Sequence, residues 1–188
     1  AGGGGVTVGG APAAHVVERA AKVRLLIFDV DGVLTDGSLY FGHDGREYKV
    51  FHSRDGHGMK MLRDSGVEIA IITARSSQAV AYRAANLGLE HVYQGQQEKR
   101  VAYAQVIDKL KLSHEEVSYV GDDVVDLPVM VQVGLAIAVA DAHPEVLRRA
   151  HWSTHHPGGR GAARDACELI MKARGAWDAA IERYVHAP

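Results

Sequence analysis

The chain has 188 residues, 47% hydrophobic and 23% charged, with a formal net charge of −2. That length and balance suit one soluble globular domain and exclude wholesale disorder, and the lack of positive charge disfavours a nucleic-acid binder. A single cysteine, Cys167, rules out an intrachain disulfide, and no apolar run approaches the roughly 20 residues that cross a bilayer.

Residues 1–13 begin with glycines at 2–5, 9 and 10, a composition that buries little and is costly to order. A flexible tail is expected there. A phosphate-binding loop is not, because no strand precedes the glycines and no Lys-Ser/Thr follows them. The segment also lacks the Lys/Arg-led apolar core of a secretory signal, so a cytoplasmic location is the expectation. Residues 14–21 read as a short amphipathic helix. Residues 23–30 (VRLLIFDV) form a short apolar run closing on acids, the signature of a buried parallel strand. A hairpin is expected over about 38–52, with strands at 39–41 and 48–51 around Gly42-His43-Asp44-Gly45. A helix follows at 58–64, a strand at 67–72, and a helix at 76–87 capped by Ser76 or Ser77 and closed by Gly88. Then come a brief strand at 91–93, a helix at 98–110, a strand at 117–120, a helix at 124–131 and a strand at 135–138. Pro144 starts a further helix. Gly158-Gly159-Arg160-Gly161 leads into a helix at 162–173, and residues 176–184 extend or follow it. Strands alternating with helices predict an α/β fold, a Rossmann-like, mainly parallel sheet flanked by helices.

Ligands of such sheets sit beyond the carboxyl ends of the strands. The first strand ends in Asp29-Val30-Asp31-Gly32 and the second in Thr73-Ala74-Arg75. Lys99 opens a helix soon after the third, and the fourth ends in Gly121-Asp122-Asp123, with Asp126 close behind. Clustered carboxylates need a proton or cation, and a hard ion such as magnesium (Mg2+) takes oxygen ligands from few carboxylates and a substrate phosphate. Asp29 has the placement of a nucleophile on phosphorus, and Asp31 that of the acid/base two residues on. Asp29, Asp31 (through its main-chain carbonyl) and Asp122 are the expected metal ligands. Thr73 and Lys99 are expected to hold phosphoryl oxygens, with Asp123 and Asp126 as supporting acids. Each element alone is ordinary. Asp-Gly is a common turn, Lys99 alone reads as a solvated helix lysine, and Thr73 alone as a strand-end hydroxyl. The order of all of them at successive strand ends is what points to phosphoryl transfer.

LLIFDVDGVLTDG, IITAR, Lys99 and VGDDVVD in this order resemble the haloacid dehalogenase superfamily of phosphatases. The resemblance implies an Asp29 nucleophile, an Asp31 acid/base, magnesium and a Rossmann-like domain. The 42 residues from Asp31 to Thr73 and the 26 from Thr73 to Lys99 leave no room for a separate cap domain, which needs roughly 50 residues or more. The longer segments YFGHDGREYKVFHSRDGHGMKML, HVYQGQQEK, VGLAIAVADAHPEV and GGRGAARDACELI are similar to capless phosphatases of octulosonate phosphates, acting in lipopolysaccharide precursor synthesis. That likeness implies a homotetramer with hairpins meeting at its centre, sites at subunit interfaces, and a C-terminal tail reaching a neighbouring site. It departs in Ala74, where many relatives have Gly. The expected organisation is a tail at 1–13, a phosphatase domain at 14–174 and a C-terminal tail at 175–188.

A sugar-acid substrate carries phosphate at one end and carboxylate at the other, and an arginine fork suits the carboxylate. Arg75 is the first choice, then Arg54 and Arg160; Thr73 and Ala74 complete the expected substrate contacts. A salt bridge is the plainer account of Arg54, and a flexible link that of Gly158–Gly161. His151, His155 and His156 match no zinc spacing. Tyr40, Phe41, Tyr48 and Phe51 of the hairpin would be buried between subunits or in the chain's own core. A nonulosonate 9-phosphate is the alternative substrate. Two other classes are a phospho-accepting receiver domain and a non-catalytic assembly domain.

Overall fold

The computed structural model describes residues 11–188. Ten of the thirteen residues read as a flexible tail lie outside the described ones. Helix α1 (Ala14–Ala21) leads into β1 (Leu25–Phe28), whose four side chains are wholly buried. Burying side chains of this size stabilises by roughly 1.5–3 kcal/mol each, which is why an apolar run this short still commits to a central strand. The hairpin strands β2 (Tyr40–Phe41) and β3 (Glu47–Tyr48) pair with each other and stay separate from the main sheet. Next come α2 (Ser53–Asp64), β4 (Glu68–Ile72), α3 (Gln78–Asn86), β5 (His91–Tyr93), α4 (Lys99–Leu110) and β6 (Val117–Gly121). The chain finishes with α5 (Leu127–Met130), β7 (Leu135–Ala138), α6 (Pro144–Arg149), β8 (Trp152–Ser153), α7 (Ala162–Ala173) and α8 (Trp177–Val185).

Six parallel strands run in the order β5-β4-β1-β6-β7-β8, flanked by helices. This is the expected α/β fold. β1 lies between β4 and β6, so their carboxyl ends are neighbours, which brings Asp29, Thr73 and Asp122 to one edge.

Three expectations are corrected in detail. Helix α2 starts at Ser53, five residues early, because His52 Nδ1 accepts from Arg54 N and caps it. Its glycines at 56 and 58 make room for neighbouring side chains: a Cβ on Gly58 would stand 2.6 Å from Arg164 Cδ on α7. The expected helix at 124–131 is a 3-10 turn at Val124–Asp126 followed by α5. Strand β8 was not anticipated at all. After Gly175 (φ +71°) the chain forms α8, in line with the helix expected at 176–184, with Ala180 buried and Trp177 5.1 Å from the Lys172 ammonium.

The Gly158–Gly161 turn is a docked segment. Gly159 N donates to Val33 O (2.8 Å) and Gly158 N to Asp141 Oδ1 (2.9 Å). A Cβ on Gly158 would collide with the Gly32 carbonyl, and one on Gly159 with the Thr35–Asp36 peptide. Only glycines allow the two loops to lie this close.

Candidate active site

Asp29 follows β1 directly and is 5% exposed. Its Oδ1 accepts from Val30 N (2.7 Å) and lies 3.1 Å from Lys99 Nζ. Lys99, first residue of α4, is 3% exposed and also donates to Asp126 Oδ1 at 2.7 Å. Asp126 is fully buried. It accepts in addition from Tyr119 OH (2.5 Å), Asp122 N (2.9 Å) and Asp123 N (3.2 Å). With four donors on its two oxygens, Asp126 holds Lys99 and the β6 loop in place and has no lone pair aimed outward.

Asp122 completes the group. One carboxylate oxygen each from Asp29, Asp122 and Asp126 lies within 4.8 Å of the others. Gly32 is the reason Asp122 fits: it has φ +83°, and a Cβ there would collide with the Asp122 carboxylate. Thus the Asp-Gly pair is more than a turn.

Three carboxylates face one ammonium, so the cluster is short of positive charge. Burial, then the Asp126 charge, pushes Asp29 up to about 7 against the pull of Lys99. Burial and the Asp29 charge push Asp122 up to about 9. Burial also opposes the charge on Asp126, but Lys99 and Tyr119 outweigh it and hold that carboxyl below its usual range. Burial likewise opposes the Lys99 charge, and Asp29 and Asp126 more than offset it, so its pKa is raised. Asp29 and Asp122 are therefore the two acids short of positive charge. Two such carboxylates with a gap moulded by Gly32 fit a hard, oxygen-seeking dication.

The other expected residues divide. Thr73 is buried at the end of β4, next to β1. Ala74 follows, its carbonyl accepting from Gln97 Nε2 (3.3 Å). Asp31 is partly exposed, and its carboxylate binds Lys49 Nζ (2.7 Å) and is not part of the acid cluster. Asp123 is exposed and caps the turn after β6 through Val124 N (2.7 Å). Arg75, first choice for a substrate carboxylate, is already paired with Glu47 (2.8 Å). Arg54 and Arg160 instead line one cavity of about 370 Å³ with His52, His156 and Arg164, which Asp165 and Glu168 partly offset. Arg160 also lies 3.9 Å from Asp36.

The histidines have local partners. His151 Nδ1 accepts from Ala136 N (2.8 Å), His156 pairs with Asp165 (2.9 Å), and His155 packs edge-on to Trp152. The residues missed in the sequence are Lys49, Glu47 and Tyr119. Glu47 opens β3 and Lys49 follows just after its end, two residues on along an extended chain, which was the available signal for the first two.

Residues 90–164 match the haloacid dehalogenase-like hydrolases, the class that this sheet and its strand-end acids define. The chain is 50% identical over 166 residues to the 3-deoxy-D-manno-octulosonate 8-phosphate phosphatase of Salmonella typhi, covering 88% of each chain. It is 49% identical to the crystal structure of the Yersinia pestis enzyme of that name, with a TM-score of 0.87 over 88% of this chain and 90% of that one. A Moraxella catarrhalis structure, described as a complex with magnesium, phosphate and KDO, is 37% identical with a TM-score of 0.88, covering 90% of this chain and 97% of that one. The chain belongs to the 3-deoxy-D-manno-octulosonate 8-phosphate phosphatase family.

Proposed function

We propose that this chain is a magnesium-dependent phosphomonoesterase that hydrolyses 3-deoxy-D-manno-octulosonate 8-phosphate. The observation that carries the reading is Asp29 at the end of β1, set between Lys99 and Asp122, with the partly exposed Asp31 two residues on. Asp29 and Asp122, with the Asp31 main-chain carbonyl, would hold the metal. When bound, magnesium offsets the charge of these carboxylates and of the phosphoryl oxygens.

In the first half-reaction an Asp29 oxygen attacks phosphorus as the bond to the sugar oxygen breaks. Asp31 gives its proton to that leaving oxygen, and an aspartyl phosphate remains on Asp29. In the second, Asp31 takes a proton from water as the water attacks phosphorus, releasing phosphate and restoring Asp29. The Lys99 ammonium and the Thr73 hydroxyl stabilise the phosphoryl oxygens throughout. Asp126 and Tyr119 hold Lys99 in reach, and Asp123 shapes the adjoining turn. The cavity of Arg54 and Arg160 suits the substrate's carboxylate end better than Arg75, which the hairpin occupies.

The assembly reading rests on the hairpin. Leu39, Tyr40, Phe41, Tyr48 and Val50 are 45–61% exposed together. On a lone chain that is a sticky surface, and packing hairpins in a homotetramer would bury it. No described helix is long and apolar enough to cross a membrane. The proposed setting is the cytoplasm.

Phosphate release from the octulosonate 8-phosphate, beside a nonulosonate 9-phosphate and common sugar phosphates, tests the reading. Turnover is expected with magnesium, lost with chelator, and strongest on the octulosonate. Preference for the nonulosonate would overturn the substrate. Phosphate retained on the protein for hours would favour a receiver domain, and no release from any substrate an assembly domain.

A further inference from the structure

Lys49 is the least exposed charge on the hairpin, with 2% of its side chain accessible. It bridges two carboxylates at equal distance, Asp31 Oδ1 and Glu47 Oε1, each at 2.7 Å. Glu47 turns its other oxygen, Oε2, to Arg75 (2.8 Å). The chain Asp31–Lys49–Glu47–Arg75 therefore joins the loop after β1 to the loop after β4 through the hairpin. Among the described residues no hydrogen bond engages Asp31 Oδ2. Lys49 engages one carboxylate oxygen of Asp31 and leaves the other free of protein donors among the described residues.

We propose that Lys49 is a positioning residue for proton transfer by Asp31, and that Glu47, anchored on Arg75, holds Lys49 there. The inference rests on the phosphatase reading above and assigns the hairpin a part in catalysis besides assembly. A misplaced acid/base costs on the order of 10²-fold in rate, because proton transfer depends on donor–acceptor geometry. In the first half-reaction, which kcat/KM reads, the loss should fall on substrates whose leaving oxygen needs a proton and spare those that leave as a stabilised anion; the water attack that follows is common to both and weighs only on kcat.

The test compares Lys49→Met, Lys49→Arg and Glu47→Gln with wild type on two substrates, octulosonate 8-phosphate and p-nitrophenyl phosphate. For Lys49→Met, kcat/KM on the sugar phosphate is expected to fall by about 10²-fold and on the aryl phosphate by less than about 5-fold. Lys49→Arg restores part of the loss. Glu47→Gln leaves the ammonium in place and gives the same selective pattern at smaller size. It keeps the test decisive if Lys49→Met, which leaves two carboxylates facing each other, does not fold. Equal losses of kcat/KM on both substrates in the folded variants, or an effect confined to KM, overturn the positioning role. A wild type that hydrolyses neither substrate overturns the phosphatase reading and this one with it.

Discussion

Asp29→Asn lowers kcat by about 10⁴-fold or more, the scale seen when a covalent nucleophile is removed. The amide is nearly the same size and still meets Val30 N, which now donates to a carbonyl oxygen. Lys99 keeps Asp126 and Tyr119 as partners, at 2.7 and 3.3 Å. The fold therefore survives. The substitution also removes one of the charges that push Asp122 upward. In chelator at pH 8 the variant should melt at or above the wild-type Tm. Activity and melting together are decisive: lost turnover with an intact transition assigns the loss to chemistry, while turnover near wild type would remove Asp29 as nucleophile.

The second large effect links metal, pH and stability. The acids Asp29 and Asp122 bind protons more tightly folded than unfolded, where carboxyls titrate near 4. Their contribution is complete below that value and is lost as pH rises toward about 7 for Asp29 and about 9 for Asp122. Burial lowers the pKa of His151, which works in the opposite sense around pH 5–7, so the clean window lies above it. Between pH 7 and 9 the protein in chelator should lose on the order of 2 kcal/mol, a Tm fall of about 4–8 °C at this chain length. Saturating magnesium should remove most of that fall, because ligated carboxylates stay deprotonated across the range. Cys167, its thiol pushed far up by burial, adds a similar slope near pH 9 that magnesium does not touch. The difference between chelated and loaded protein is thus the informative quantity. Equal slopes in the two conditions would place the metal elsewhere.

Much of this site was legible because its residues stand at strand ends, where local pattern and topology agree. An apolar run closing on Asp29 can only be a buried strand feeding a carboxylate to the sheet edge, and the same logic located Thr73 and Asp122. Gly32 was legible as a turn, but its close approach to Asp122 was not, because that contact spans the three crossovers through α2, α3 and α4. Lys49 illustrates the limit. A lysine between Tyr48 and Val50 in a hairpin carries no local sign of burial, and what buries it is the hairpin's fold over Asp31, 18 residues away. Tyr119 reads as a core aromatic in an apolar strand, and only the structure shows its hydroxyl on Asp126. Gly158 and Gly159 mislead for the same reason. Glycine marks both flexible links and tight contacts, and composition does not separate the two.

The central claim is that Asp29 carries the phosphoryl group between substrate and water. The most direct measurement is to quench the enzyme during turnover of octulosonate 8-phosphate with magnesium, reduce acyl phosphates with borohydride, and map the product by peptide mass spectrometry. The account predicts homoserine at position 29, absent in chelator and absent without substrate. Reduction at another acid, or none during active turnover, would contradict it.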